Sequence, residues 1–227
     1  MRLLGILPCF IFGCAAPFVP PGDVNAIGDL GDIASIQDLT GGHADLASGA
    51  HDLNDMGKIV DLSQAGCSQA SIVINEVQTD GLTASDDWVE LYNTCNDPVD
   101  MTGMGLVYRS ATGTTDTTIT ALSGNIGANG FILVANGGYH GLATADFAFQ
   151  AAGGLAQMAG QVGLKNTSGT VDGVGWGLSA GAYVEGSPAT APATLHSIGR
   201  SPDGHDTQSN AADFQSFSTP TPRSSNL

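Results

Sequence analysis

The sequence predicts an all-β protein whose folded part is a two-sheet sandwich. Its 227 residues include 32 Gly, and only 12% of the chain is charged, a composition that disfavours long helices and suits short strands with turns. Short β-branched and aromatic runs alternate with Gly, Asn and Asp turn signals at the spacing typical of sandwiches. The length allows one domain with a substantial core plus additional segments.

Residues 1–13 predict a lipoprotein signal peptide. Met1-Arg2 precedes an apolar run, Leu3 to Phe12, that is too short to span a bilayer as a stable helix. The run ends in Ile11-Phe12-Gly13-Cys14, which resembles the bacterial lipobox, where cleavage precedes a cysteine that is then acylated. We therefore expect lipidation at Cys14, and the alternative is ordinary cleavage near Ala15-Ala16. Ala15 after the lipidated cysteine favours anchoring in the outer membrane or at the cell surface; without the lipid the protein would be periplasmic or secreted.

Residues 14–63 predict a disordered acidic tether. Asp-aliphatic pairs recur here, three of them seven residues apart, at Asp38-Leu39, Asp45-Leu46 and Asp52-Leu53. Several glycines and the lack of counter-charge argue against an amphipathic helix. The pattern resembles the Asp-Leu-repeat spacers that follow the lipidated cysteine in some Gram-negative lipoproteins.

The tether also contains two weak matches to a calcium loop, at Asp23-Val24-Asn25 and Asp52-Leu53-Asn54. In both, the third ligand position holds Ile27 or Met56, where an oxygen ligand is required. We therefore expect no cofactor, with calcium as the weaker alternative.

The overall charge restricts the class of partner. A formal net charge of -16 and a pI near 4.1 oppose a phosphate backbone or an anionic membrane surface. We expect no nucleic-acid partner, attachment to the membrane through the N-terminal lipid alone, and an unknown surface or envelope protein as the partner.

The strongest hairpin signal spans residues 72–93. Two strand-forming runs, IVINEV and WVELY, flank a polar turn that contains Asp80-Gly81. Strict alternation would place Ile72, Ile74 and Glu76 on one face of the first strand. Glu76 and Glu90 are expected on the same face of the hairpin, where paired carboxylates could bind calcium or act as acid and base. Without a recognisable cleft, both are predicted to be solvated.

Two cysteines bracket this hairpin, Cys67 before it and Cys95 after it. An exported chain most simply pairs them, and closing that loop would contribute roughly 3 kcal/mol. Two unpaired cysteines are the alternative, since no CxxC or HxxxH pattern supplies further metal ligands.

Further strand signals follow the hairpin, separated by Gly-rich and Asn-rich turns. They lie at residues 99–108, 117–122, 130–136, 161–165 and 170–176. Two loops are expected between and after them, at 137–160 and 178–194.

Seven motifs in this order resemble the lamin-tail domain, an immunoglobulin-like β-sandwich of nuclear lamins and of many secreted or surface-anchored bacterial proteins. They are INEV (74–77), DWVELYN (87–93), VDMTGMGL (99–106), NIGANGFILVAN (125–136), VGLKNTSGTVDGVGWG (162–177), SIGRSPDGHDT (197–207) and DFQSFSTPTP (213–222) with a final Asn226. The resemblance implies a lamin-tail sandwich over residues 64–227. Met104 stands where the family usually has Trp, which implies different local core packing. Arg223 stands where Gly is common, which implies a less tight final turn.

Two patterns could carry chemistry. Residues 177–181 match the GxSxG pattern around Ser179, with Glu185 and His196 following, but the chain lacks the strand-turn-helix context of a nucleophile elbow. A flexible loop is expected there.

A second acidic cluster near the end, Asp203, Asp206 and Asp213 with His205, is a weak calcium candidate, and Arg200 is expected to pair with one of its members. The sequence thus predicts a non-catalytic, lipid-anchored module for adhesion or scaffolding. The first alternative is a calcium- or carbohydrate-binding surface module, and a hydrolase using Ser179 or Glu76/Glu90 is the less favoured one.

Overall fold

The computed structural model describes residues 66–150 and 153–226. The predicted signal peptide (1–13), the predicted lipidation site Cys14 and the predicted tether (14–63) lie outside the described residues. Within the described ranges, no helix is long and apolar enough to cross a membrane.

Twelve short strands make up most of the regular structure. After a 3₁₀ turn at Gln69–Ser71 they are β1 (Ile72–Gln78), β2 (Trp88–Asn93), β3 (Val99–Asp100), β4 (Gly105–Ser110), β5 (Thr117–Ala121), β6 (Asn125–Ile126), β7 (Phe131–Ala135), β8 (Phe147–Ala148), β9 (Ala159–Asn166), β10 (Gly169–Gly177), β11 (Ser197–Arg200) and β12 (Phe214–Phe217), with the one-turn helix α1 (Asn210–Asp213) before β12.

The strands form two main sheets, and the predicted all-β sandwich is confirmed. One sheet has six strands in the order β12-β11-β1-β2-β7-β8, and the other has four in the order β10-β9-β4-β5. A small third sheet pairs β3 with β6. All pairings are antiparallel except that of β7 with β8.

The hydrophobic core draws residues from both main sheets. Ile74 and Leu91 of the six-stranded sheet share one cluster with Leu106, Leu164 and Trp176 of the four-stranded sheet, and all five are completely buried. Burying each such side chain contributes about 1.5–3 kcal/mol. Met104, at the position where the family usually has Trp, belongs to the same core.

A β-bulge in β1 corrects the expected alternation of the hairpin. Ile74 pairs with Leu91 and Glu76 pairs with Glu90, which leaves Asn75 as the extra residue. Ile74 and Val77 therefore both lie in the core, and Glu76 lies on the opposite, outer face of the six-stranded sheet. The prediction that Glu76 shares a face with Ile74 was wrong.

The C-terminal region contributes more structure than the sequence patterns indicated. β11 and β12 extend the six-stranded sheet beyond β1, and the next segment, residues 219–226, crosses the outer face of that sheet. We call residues 219–226 the strap. The expected strand at 99–108 is divided into β3 and β4 by a turn in which Gly103 has φ +84°, and β8 lies within an expected loop.

Candidate functional site

The disulfide predicted between Cys67 and Cys95 is present, with the two Cα atoms 5.7 Å apart. It joins the residues just before β1 to those just after β2. The backbone supports the same junction, because Thr94 N–H donates to the Ser71 carbonyl at 2.9 Å.

The outer face of the six-stranded sheet carries a pair of buried carboxyl groups, Glu76 and Glu90. Their side chains are directly opposite each other on β1 and β2, and both residues have 0% exposure. The prediction that they are solvated was wrong, because the strap covers them. No substrate can reach this pair while the strap is in place, so the arrangement does not form an accessible acid-base site.

Glu76 is the main attachment point for the first half of the strap. Thr221 donates its backbone N–H to Oε1 at 3.1 Å, and its hydroxyl oxygen lies within hydrogen-bond distance of Oε2, at 3.1 Å. The Ser197 hydroxyl on β11 donates to Oε1 as well. Three hydrogen bonds therefore converge on one carboxyl group, two of them from the strap.

Glu90 holds the middle of the strap. Its Oε2 accepts the backbone N–H of Arg223, and its Oε1 accepts Asn75 Nδ2 at 3.1 Å. The amide of Asn75, the bulge residue, also donates to Asp203 Oδ1 at 2.9 Å. The bulge thus positions a side-chain donor between two carboxyl groups.

Asn226 fastens the end of the strap. Its backbone N–H donates to Asp203 Oδ1 at 3.0 Å, its Nδ2 donates to the Arg200 carbonyl at 2.9 Å, and its Oδ1 accepts the Thr221 hydroxyl at 2.6 Å. Gly199 allows this approach, since a Cβ there would lie 2.7 Å from Asn226 Nδ2. The final Asn226 of the sequence motif is therefore a clamp residue.

The turn at Arg223 is tight, which corrects the expectation of a looser one. Ser224 N–H donates to the Thr221 carbonyl at 2.9 Å, and Arg223 has φ +65°. Pro222 followed by a residue with positive φ is the arrangement of a type II turn, which favours Gly at the second central position. Arg223 adopts the conformation of the usual glycine, and its guanidinium pairs with Asp146.

Burial dominates the electrostatics of the carboxyl pair. Desolvation raises the pKa of Glu76 to about 7, and the hydrogen bonds from Ser197 and Thr221 offset this only in part. Desolvation likewise raises the pKa of Glu90 to about 8, against hydrogen bonds from Asn75 and Arg223. Glu90 therefore favours its neutral form at pH 7.

An open groove of about 510 Å³ lies beside the strap. Trp88 lies at this groove, and its indole N–H donates to Gln78 Oε1 at 3.0 Å. Leu82, Leu142 and Leu195 line it, and Leu82 is 72% exposed and Leu142 is fully exposed. Strap residues 220–222 and 224 form another part of its lining.

Asp86 holds two walls of the groove together. Its Oδ2 accepts Leu82 N–H at 3.0 Å, and its Oδ1 accepts His140 N–H at 3.0 Å. One buried carboxylate thus fixes the β1-β2 turn against the loop that carries Leu142. Hydrogen bonds to Asp86 fix one side of the groove, and the strap forms another side.

A second buried polar cluster surrounds Arg200, between the two sheets. Arg200 has 0% exposure, and its guanidinium contacts Asp172 at 3.0 Å, Asp213 at 3.3 Å and Asp206 at 3.4 Å. Its Nε donates to the Ile74 carbonyl at 2.9 Å. The cluster links β1, β10, β11 and the helix α1 through one cation.

The acidic residues proposed as a weak calcium site are divided between these two networks. Asp206 and Asp213 contact Arg200, whereas Asp203 contacts Asn75 and Asn226 on the outer face. Among the residues that the structure describes, no group of three or more His, Cys, Asp or Glu side chains could hold a metal ion.

The residues of the GxSxG pattern lie in separate hydrogen-bond networks. Ser179 is 5% exposed, and its hydroxyl bonds the Trp176 carbonyl at 2.6 Å. Glu185 accepts from Asn210 Nδ2 at 3.2 Å, and His196 Nδ1 lies 3.5 Å from a serine hydroxyl on β12. The expected loop is present after β10, and within it Ser179 is buried and bonded to backbone carbonyls.

Sequence reasoning missed the groove and the strap. Trp88 shares a strand face with Glu90, which identifies it as an outer-face residue once that face is located. Leu142, an isolated large apolar residue between Gly141 and Ala143, is a signal for an exposed apolar side chain. Thr221 had no local signal, because its partner Glu76 is 145 residues away.

The architecture of two packed antiparallel sheets defines the class of protein as an immunoglobulin-like β-sandwich module. Residues 67–178, which include β1 to β10, match the family model of the lamin tail domain. This segment is a lamin tail domain, as its motifs predicted. β11, β12 and the strap lie beyond the match; β11 and β12 complete the six-stranded sheet, and the strap covers its outer face. No curated protein matches the chain.

Proposed function

We propose that this chain is a non-catalytic, exported surface module that holds an envelope or surface protein through the groove beside the strap. The observation that carries the proposal is the cluster of exposed leucines around an aromatic side chain. Exposed apolar patches rimmed by polar residues mark interaction sites, and the leucines supply the accessible apolar surface here, since Trp88 is only 1% exposed.

Charge defines the kind of partner. The chain has a net charge of -16, and each Lys and Arg in the described ranges is paired with a carboxylate. A partner segment with apolar side chains flanked by basic residues would complement this surface in both respects. Nucleic acid would not.

Export and anchoring are the second part of the proposal. The disulfide supports an oxidising compartment, since such bonds persist mainly outside the cytosol. Lipidation at Cys14 would place the domain at the outer membrane or cell surface, and the unlipidated form would be periplasmic or secreted.

Photo-crosslinking in the cells that produce the protein tests the groove. The full chain would carry a photoreactive residue at position 142, in the groove, or at position 178 as the matched control. Leu178 is 91% exposed and lies outside the groove, so it reports nonspecific capture with an equally accessible side chain.

We expect a discrete protein adduct from position 142 and none of the same mass from position 178. The captured protein should be an exported or envelope protein, which mass spectrometry would establish. The same adducts from both positions, or none from position 142, would refute the groove as the binding surface.

A further inference from the structure

We propose that the strap, residues 219–226, is a proton-controlled cover, and that ionisation of Glu76 and Glu90 releases it from the sheet and thereby dismantles one wall of the groove. The proposed release of the strap is argued from the contacts of the strap alone. Its effect on binding rests on the function proposed above.

Hydrogen bonds hold the strap to the sheet. Its residues 223–225 are exposed, and its attachment depends on backbone N–H groups that donate to side chains on the sheet. Thr221 donates to Glu76 and Arg223 donates to Glu90. The first half and the middle of the strap are therefore held by the two buried glutamates, and the Asn226 clamp holds its end.

The cations near Glu76 and Glu90 are paired with other carboxylates. The Arg200 guanidinium lies on the opposite side of its sheet and contacts Asp172 and Asp213. The Arg223 guanidinium points to Asp146. Ionisation of the Glu pair thus gains little compensation from these cations.

The remaining titratable neighbours of Glu76 and Glu90 carry a negative charge or no charge. The Asp203 carboxylate raises the pKa of both Glu76 and Glu90, after the larger effect of burial. Burial, and the charges of nearby carboxylates including these two, also raise the pKa of Tyr139, which keeps its phenol neutral. Like charges beneath the strap make the fully ionised closed state unfavourable.

Neutral Glu76 fits its hydrogen-bond partners without rearrangement of the backbone. A proton on Oε2 can donate to the Thr221 hydroxyl, because that hydroxyl donates onward to Asn226 Oδ1 at 2.6 Å. Oε1 remains free to accept from Ser197 and from Thr221 N–H. Glutamine at position 76 would reproduce this pattern, with its amide in place of the protonated oxygen.

Release of the strap would alter the groove directly. Strap residues 220–222 and 224 line it, and Thr221 is both a lining residue and the partner of Glu76. An open strap would expose the carboxyl groups and widen access to Trp88. The groove is therefore complete only when the Glu pair is largely neutral.

Hydrogen exchange of the full chain, read as protection factors of strap amides between pH 5.5 and 8, tests the proposal. In the unmodified protein the protection of Thr221 and Arg223 N–H should fall by at least about tenfold over this interval. Glu76→Gln should reduce that fall, because it removes one titrating group and keeps the hydrogen bonds.

Two control variants separate the effect of the Glu pair from that of other carboxyl groups and other strap contacts. Glu185→Gln removes a partly buried carboxyl elsewhere, whose pKa burial raises to about 8. Glu185 contacts Asn210 and Arg200 rather than the strap, so the tenfold fall should persist. Asn226→Ala removes the end clamp and should lower protection at every pH while keeping the dependence on pH.

Constant strap protection in the unmodified protein, or an unchanged fall in Glu76→Gln, would overturn the proposal. Exchange of the strap is read without any partner, so its failure is separate from failure of crosslinking at position 142.

Discussion

Replacing Arg200 by methionine should destabilise the domain strongly. The substitution keeps an unbranched apolar stem but removes the cation that faces Asp172 and Asp213, and it leaves the Ile74 carbonyl without its 2.9 Å donor. Breaking a buried pair by removing one partner costs about 3–5 kcal/mol, since an uncompensated charge remains. Asp213 keeps a backbone donor from Thr207 at 3.0 Å, which argues against a larger loss.

Urea denaturation followed by tryptophan fluorescence, with the disulfide intact, would measure the loss. Arg223→Met is the matched control, because it breaks an ion pair with Asp146 in which both side chains are partly exposed and should cost at most about 1 kcal/mol. The deficit of Arg200→Met should shrink as the pH falls toward 4, because the orphaned carboxylates can then take up protons. Equal losses in the two variants at pH 7, or a deficit that acid does not reduce, would refute the reasoning.

Three further predictions concern pH, the disulfide and Ser179. The pKa values of Glu76 and Glu90 in the folded state, about 7 and about 8, lie above the ordinary 4.5. The stability that these two groups contribute to the folded state is therefore complete below pH 4.5 and is lost as the pH rises. The free energy of unfolding should fall between pH 5 and 8, by at most roughly 1.4 kcal/mol per pH unit for each group. A rise in the free energy of unfolding over this range, measured by urea titration, would contradict the prediction. Replacing Cys67 and Cys95 by serine should cost roughly 3.5 kcal/mol, from a sequence separation of 28, and a loss below 1 kcal/mol by the same assay would show that the loop is constrained by other contacts. A fluorophosphonate probe should leave native Ser179 unlabelled because its hydroxyl is buried and bonded to backbone carbonyls, and stoichiometric labelling detected by mass spectrometry would reverse this assignment.

The central strands could be predicted because their signals are local. Alternating apolar residues in IVINEV and WVELY identify β1 and β2 from neighbouring side chains alone. The bulge at Asn75 could not be predicted in this way, since it depends on how β1 pairs with β2 and on the side chains that meet at the outer face. One extra residue was sufficient to move Glu76 to the other face of the sheet.

The contacts of the strap could not be predicted from neighbouring residues either, for a related physical reason. Glu90 and Arg223 are separated by 133 residues, and a glutamate next to exposed strand positions has the same sequence pattern whether a distant segment covers it or not. The strand signal VDGVGW did contain a usable anomaly, because Asp172 interrupts an apolar run. A buried Asp requires a donor or a cation, and Arg200 supplies it.

The most direct test of the account is the affinity of the protein captured at position 142 for variants of the full chain. Leu82→Ser with Leu142→Ser removes exposed apolar groups of the groove without altering the core, and Leu178→Ser removes an equally exposed leucine elsewhere. We predict that the groove variant raises the dissociation constant at least about tenfold, which corresponds to a loss of about 1.4 kcal/mol of binding free energy. The control should bind as the unmodified chain does. Unchanged binding by the groove variant would contradict the account.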